Sequence, residues 1–253
     1  MLSEMQHLRV PSLCVEAIRE FTLSCVDRNY YEHVVDLKVL LSSLLSPEED
    51  LLDELYEIIF CGRSFEDRRL TLLEELWRSV REGMEKLPRF DEFAPLFEHD
   101  VRVALNSAHY VKLASTLPQA VNLEEWKFHT VNIAYLVDVD LMASPSFNID
   151  ELPFLREIVM YAQQMMGISN WLRSWKGNIT PLAYLLSNAL TTPAEIAELG
   201  DGEIVELAEM FGFREHMLKL WRENYDRIRS VGSNVSSFSV ESILTGLENL
   251  LNK

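Results

Sequence analysis

Apolar residues recur along this chain at spacings of three and four positions, which is the period of an amphipathic α-helix. The clearest example begins at Ser46-Pro47, an N-cap followed by an N1 proline, and is predicted to end near Gly62. Apolar-rich segments at 12–26 and 30–45 precede it. Further helices are predicted at about 64–87, 91–115, 122–142, 150–175, 179–190, 193–199, 202–211, 213–229 and 236–252.

No segment alternates polar and apolar residues for long enough to predict a β-strand. Asn122, Asn148 and Thr192 each precede acidic residues and are predicted to cap helices. The chain has only nine Gly and nine Pro, too few for the turns of a β-sandwich or barrel, and no linker or repeat divides it. The pattern therefore predicts an all-α fold in which residues 1–253 form a single-domain helical bundle.

The charge balance of 23 Lys+Arg against 40 Asp+Glu gives a net charge of −17. Such a surface repels nucleic acid and anionic lipid, so nucleic acid is not expected as a partner. The first ten residues lack an apolar core, and no uncharged apolar run reaches the roughly 20 residues of a membrane helix. Cys14, Cys25 and Cys61 have no metal-ligand spacing and are predicted to be buried, reduced thiols. We therefore expect a cytoplasmic protein without an integral membrane segment.

Most familiar catalytic motifs, including phosphate-binding glycine loops, nucleophile elbows and paired zinc ligands, do not occur in the chain. The many carboxylates at helical spacing are typical of solvated helix faces. Asp138 and Asp140 are different, because both lie in an apolar segment, Ile133 to Met142. A carboxylate buried there needs a partner, although the end of a helix near Ser144-Pro145 is an adequate alternative explanation.

The most distinctive polar pattern lies in residues 160–178. Asn170, Ser174 and Asn178 are spaced i, i+4, i+8, so their side chains lie along one helix face. Oxygen ligands in such a row suit Mg²⁺ that is bound jointly with a diphosphate. The alternative is a polar stripe flanked by core aromatic residues, Trp171 and Trp175.

The segments Leu141-Met142, Phe154-Leu-Arg, Ala162-Gln-x-Met and Asn170-Trp-x-x-Ser-Trp resemble the second half of bacterial class I terpene synthases. The resemblance covers roughly residues 65–250. It implies a helical bundle around an apolar cavity, in which Mg²⁺ ions bound by two helices promote ionisation of a prenyl diphosphate. Asn170 and Ser174 match the first two positions of the family's Asn-x-x-x-Ser/Thr-x-x-x-Glu metal motif, and Arg173 and Lys176 become candidates for diphosphate contacts.

The chain departs from the family at other metal positions. Asn178 stands where the family has Glu, and an amide oxygen is a weaker Mg²⁺ ligand than a carboxylate. Alignment on the Pro-Glu-Glu at 47–49 places Ser42, Ser43 and Ser46 where the family's other helix has aspartates. These serines are neutral, whereas carboxylates are needed to hold three divalent ions. The aspartate motif is therefore degenerate here.

These observations predict a class I terpene synthase-like protein whose cavity holds a prenyl diphosphate or another elongated apolar ligand. One version is a divergent Mg²⁺-dependent cyclase or lyase. In the other version, metal binding is lost, no cofactor is needed, and the fold is a catalytically inactive binding or scaffold protein. A third hypothesis is a helical adaptor that binds a protein partner through an exposed apolar groove. A homodimer stays open as the oligomeric state.

Overall fold

The computed structural model describes residues 12–45, 51–117, 131–173, 180–196 and 198–252. Across these ranges the chain is helical with no β-strand, which confirms the all-α prediction. None of the helices in the same ranges is both long enough and apolar enough to cross a bilayer.

Twelve α-helices occur in the described ranges. The first six are α1 (Ser12–Glu20), α2 (Tyr31–Leu44), α3 (Leu52–Tyr56), α4 (Arg68–Met84), α5 (Phe90–Thr116) and α6 (Ala134–Met142). The others are α7 (Leu152–Arg173), α8 (Thr180–Ser187), α9 (Pro193–Ile196), α10 (Asp201–Met210), α11 (Phe213–Gly232) and α12 (Val240–Asn252). A π-helical turn, Glu57–Cys61, continues α3.

Several helix ends lie where local chemistry predicted them. The π-helical turn ends at Gly62, whose φ of 62° is in the left-handed region that favours glycine. At α9, the Glu195 carboxylate accepts a hydrogen bond from Thr192 N–H (2.8 Å) and Glu195 N–H donates to Thr192 Oγ1 (3.3 Å). This reciprocal pair is the predicted capping box. The Asn148 side chain likewise accepts from Asp150 N–H. The caps predicted at Ser46 and Asn122 lie outside the described residues.

Other predicted bounds were wrong. The helix predicted at 64–87 begins only at Arg68, because the Asp67 carboxylate accepts hydrogen bonds from Arg69 N–H and Leu70 N–H and caps it there. Of the helix predicted at 122–142, the described part is helical only from Ala134, since residues 131–133 are not helical. Within the apolar-rich segment 12–26 the helix ends at Glu20, and the helix predicted at 236–252 begins at Val240.

The backbone contacts divide the chain into two compact units. The first comprises Met1–Leu105, Ile133–Glu151 and Ser236–Gly246, and the second comprises Asn106–Asn132, Leu152–Val235 and Leu247–Lys253. Helices α5 and α12 each contribute residues to both units. That residues 1–253 form one domain stays a prediction.

The core of the first unit is built around α6, all nine residues of which are buried. Helix α2 packs against α1, α4 and α6. Buried between them is an ion pair in which Lys38 Nζ lies 2.9 Å from both carboxylate oxygens of Asp140. Lys38 also donates to Thr22 Oγ1, and Asp140 accepts from Leu23 N–H (3.0 Å). Burial raises the pKa of Asp140, while Lys38 and the Leu23 N–H oppose that rise.

Two further side chains fix loops of the first unit. Arg89 Nη1 donates to the carbonyl oxygens of Ser144 and Phe147, both at 2.9 Å. The Glu151 carboxylate accepts hydrogen bonds from the backbone N–H of Ser236, the backbone N–H of Ser237 and the Ser236 hydroxyl. Burial acts to raise the pKa of Glu151, but these hydrogen bonds hold the pKa below its usual range. The loop before α12 is therefore held to the turn before α7.

The cysteine prediction is confirmed at one position and wrong at another. Cys25 is buried, and burial raises the pKa of its thiol. Cys61 is exposed rather than buried, because it ends the π-helical turn immediately before Gly62, in a loop whose next three residues are also exposed. Nothing is described of the Cys14 side chain.

Candidate functional site

The last turn of α7 carries two of the residues predicted to contact a ligand. The Asn170 side chain is exposed and that of Arg173 is half-buried. Arg173 Nη2 donates to Asn170 Oδ1 at 2.9 Å, and Arg173 Nε donates to the carbonyl oxygen of Ser169 at 3.3 Å. These bonds hold the planar guanidinium against the helix end, next to an exposed amide. A guanidinium held in place is suited to bidentate contact with phosphate or carboxylate oxygens.

The buried face of α7 packs against α11, and a line of polar contacts joins the two helices. Trp221 Nε1 donates to Ser169 Oγ (3.2 Å), and Asn224 Nδ2 donates to Gln164 Oε1 (3.1 Å). All four side chains are buried, so each polar group needs the partner that it has. Because the first contact comes from Ser169, the residue before Asn170, it fixes which way the last turn of α7 faces.

A third contact continues this line toward the start of α7. Arg227 Nη1 donates to Tyr161 Oη (3.3 Å), and its guanidinium lies 5.4 Å from the centre of the same ring. The three contacts together set the register of α7 against α11. This line was not predicted, because the contact residues of α11 stand among other polar and charged residues, and the sequence does not show which of them face α7.

Half of the predicted site lies outside the described residues. Ser46, Ser174, Lys176 and Asn178 belong to segments that the structure does not describe. Of the four others, Asn170 and Arg173 lie in the second unit and contact each other. Ser42 and Ser43 lie in the first unit, in the last turns of α2.

Ser42 and Ser43 are used in contacts within the first unit. Their hydroxyls donate to the carbonyl oxygens one turn earlier, Ser42 to Lys38 O (2.8 Å) and Ser43 to Val39 O (3.0 Å). Ser42 also forms a hydrogen bond with the buried Tyr135. Burial raises the pKa of the Tyr135 phenol, and this hydrogen bond opposes only part of that rise. This bonding is that of structural serines on a helix.

The described residues do not fit a cluster of Mg²⁺ ions held by carboxylates. Within the ranges that the structure covers, no three His, Cys, Asp or Glu side chains are grouped so that they could hold a metal ion. The Asn170 oxygen already accepts from a guanidinium, and a divalent cation at that oxygen would lie close to the positive charge of Arg173. The charge of this pair instead favours an anion.

A second feature, which sequence analysis missed entirely, is a cavity of about 150 Å³ in the first unit. Its lining comes from the π-helical turn, α4 and α5, and includes Phe60, Trp77, Phe97, Arg81 and Arg102. The rings of Trp77 and Phe97 are nearly parallel, with an interplanar angle of 7° and centres 6.4 Å apart. The spacing of residues along one helix could not predict this cavity, because three separate segments line it. One of them is a π-helical turn, a feature that is often found at functional sites.

Comparison with known proteins adds no relative: no family model, no curated protein and no solved structure matches this chain. The interpretation of the α7 end therefore depends on the sequence resemblance and on the contacts described above.

Proposed function

We propose that this chain is a class I terpene synthase-like protein that binds a prenyl diphosphate, with the diphosphate at the exposed end of α7. The observation that carries the proposal is the contact between Asn170 and Arg173. Asn170 matches the first position of the family's metal motif, and Arg173 lies within the same motif. Their contact supports the proposal, because it holds a guanidinium beside the residue that matches the family's motif.

The charge of the chain makes this guanidinium important. With a net charge of −17, the surface as a whole repels an anionic ligand. A diphosphate therefore needs a local cation, and Arg173 is held in place by two hydrogen bonds before any ligand arrives. A group that is fixed in advance loses less conformational entropy when the ligand binds. Arg173 is thus suited to recognise the phosphate oxygens, while the apolar chain would occupy the interior that the resemblance implies.

The proposal is for binding first, and conversion of the ligand is a separate question. Ionisation of an allylic diphosphate requires neutralisation of the charge that develops on the leaving group. In the described ranges, the positions matched to the family's aspartates are serines that bond to their own helix. No step of the proposed function is therefore assigned to a metal ion, and the inactive version of the protein is favoured.

Turnover can be tested by incubating the full chain with farnesyl and geranylgeranyl diphosphates, with and without Mg²⁺. Terpenoid products and released pyrophosphate are then measured, with Asn170→Ala as the variant and exposed Asn234→Ala as the control. The inactive version predicts binding without turnover in either condition. Metal-dependent turnover that Asn170→Ala abolishes and Asn234→Ala leaves intact would instead establish the active enzyme. The whole proposal would fail if neither turnover nor a thermal shift with either diphosphate were observed.

A further inference from the structure

The cavity in the first unit is partly open, and both aromatic and charged side chains line it. Four aromatic side chains, Phe60, Trp77, Phe90 and Phe97, contribute to its lining. A cavity of about 150 Å³ is large enough for a single six-membered ring. The four aromatic side chains provide faces and edges for the offset and edge-to-face contacts that a bound ring prefers. A long isoprenoid chain, in contrast, is too large for about 150 Å³.

The charged lining residues decide which ring-containing ligand fits. Arg102 lies with its guanidinium 4.4 Å from the centre of the Phe60 ring, and in the described part of the chain it has no ion pair with a carboxylate. Arg81, across the cavity on α4, pairs with Glu85 at 3.3 Å, which is outside the lining. Glu98 is the one acidic residue of the lining, so the two arginines give the lining a net positive charge. A guanidinium stacked on an aromatic ring keeps its edge N–H groups available for an anion.

We propose that this cavity is a binding site for a small aromatic carboxylate, with the ring against the aromatic walls and the carboxylate on Arg102. Every lining residue belongs to the first unit, and none takes part in the prenyl diphosphate site proposed at α7. The two sites can therefore succeed or fail separately.

The test is calorimetric titration of the full-length protein with phenylacetate, and with its neutral isostere phenylacetamide. We expect saturable binding of one phenylacetate per chain, at least about tenfold tighter than phenylacetamide, because the ion pair to Arg102 is lost in the amide. Arg102→Gln should weaken phenylacetate binding by about tenfold while leaving the weaker binding of phenylacetamide almost unchanged.

Two further variants separate the cavity from the surrounding surface. Ala94 lines the cavity, and Ala94→Phe should fill it and abolish binding of both compounds. Arg78→Gln is the control for Arg81→Gln, because both arginines lie on α4 and each pairs with a glutamate four residues away, but only Arg81 lines the cavity. Arg81→Gln should weaken phenylacetate binding by a few-fold, whereas Arg78→Gln should not change it.

Circular dichroism establishes that each variant is folded, and Arg102→Gln decides the question alone if Ala94→Phe does not fold. The proposal is overturned if phenylacetate shows no saturable binding up to about 10 mM, a concentration that detects even millimolar affinity. It is also overturned if Arg102→Gln binds phenylacetate as tightly as the unmodified protein, or if the neutral amide binds equally well.

Discussion

At the scale of single residues, the buried pair of Lys38 and Asp140 shows how strongly one contact can constrain this chain. Both side chains are almost fully removed from solvent, with exposed fractions of 2% and 0%. Such a pair is satisfied only as a unit, because each charge would otherwise be left in a medium of low polarity. Thr22 and Leu23 complete the hydrogen bonding, so α2, α6 and the turn after α1 meet at one point.

Replacing Lys38 alone should therefore be much worse than replacing the pair. Lys38→Met leaves the Asp140 carboxylate without its cation, and we expect a loss of about 3–5 kcal/mol in the free energy of unfolding. The double variant Lys38→Met/Asp140→Asn should lose less, because the asparagine is neutral and its oxygen can still accept from Leu23 N–H. Urea denaturation measures both values.

The control is Lys219→Met on α11, where the lysine side chain is exposed. Its ion pair with Glu223 is long, at 3.8 Å, so its removal should lower the free energy of unfolding by about 0.5 kcal/mol or less. A loss of less than about 1 kcal/mol for Lys38→Met would contradict this account of the pair. A double variant that lost as much as Lys38→Met alone, or more, would contradict the claim that the two charges act as a unit.

At the scale of helices, two glycines in similar secondary structure should respond oppositely to alanine. A Cβ added at Gly83, near the end of α4, would lie 2.6 Å from Leu37 Cδ2 and 3.4 Å from His33 Cε1, both on α2. Leu37 is buried, so it has little room to move. At Gly202 on α10 nothing lies within 4 Å of the added atom. The close approach of α2 and α4 thus depends on Gly83.

Gly83→Ala should lower the free energy of unfolding by about 1 kcal/mol, because the cost of overpacking exceeds the gain of about 1 kcal/mol in helix propensity. Gly202→Ala should raise it by up to about 1 kcal/mol, since only the propensity changes. Thermal and urea unfolding of the two variants give the comparison. If Gly83→Ala stabilised the protein as much as Gly202→Ala, the two helices would not be in the contact described.

The same scale shows which helices a sequence pattern can predict. Ends that depend on neighbours in the chain were predicted correctly, as at Gly62 and at the Thr192–Glu195 capping box. The end of α1 was not, because the chain leaves the helix at Glu20 and Leu23 N–H is then satisfied by Asp140, 117 residues away. A local pattern contains no information about such a partner. Lys38 is similar: its neighbours Leu37 and Val39 are apolar, but they do not indicate that its partner is Asp140, 102 residues away.

At the scale of the whole molecule, the helical spacing of apolar residues predicted the all-α fold, but the sequence predicted the candidate sites only in part. Asn170 and Arg173, two of the predicted site residues, are three positions apart on one helix, and the structure shows them in contact. The cavity that Arg102 lines could not be predicted, because Phe60, Trp77 and Phe97 come from three segments whose packing the sequence does not specify. Whether the remaining predicted ligands join Asn170 stays a prediction, since Ser174 and Asn178 lie outside the described residues.

The most direct measurement of the central claim is calorimetric titration of the full chain with farnesyl diphosphate, compared between the unmodified protein and Arg173→Gln. Exposed Arg222→Gln on α11 is the control for a general change in charge, and inorganic diphosphate separates recognition of the head group from that of the chain. We predict saturable binding that Arg173→Gln weakens by about tenfold or more, a loss of about 1.4 kcal/mol, and that Arg222→Gln leaves unchanged. No binding of farnesyl diphosphate, or equal affinity in the unmodified protein and Arg173→Gln, would contradict the assignment of the diphosphate to the end of α7.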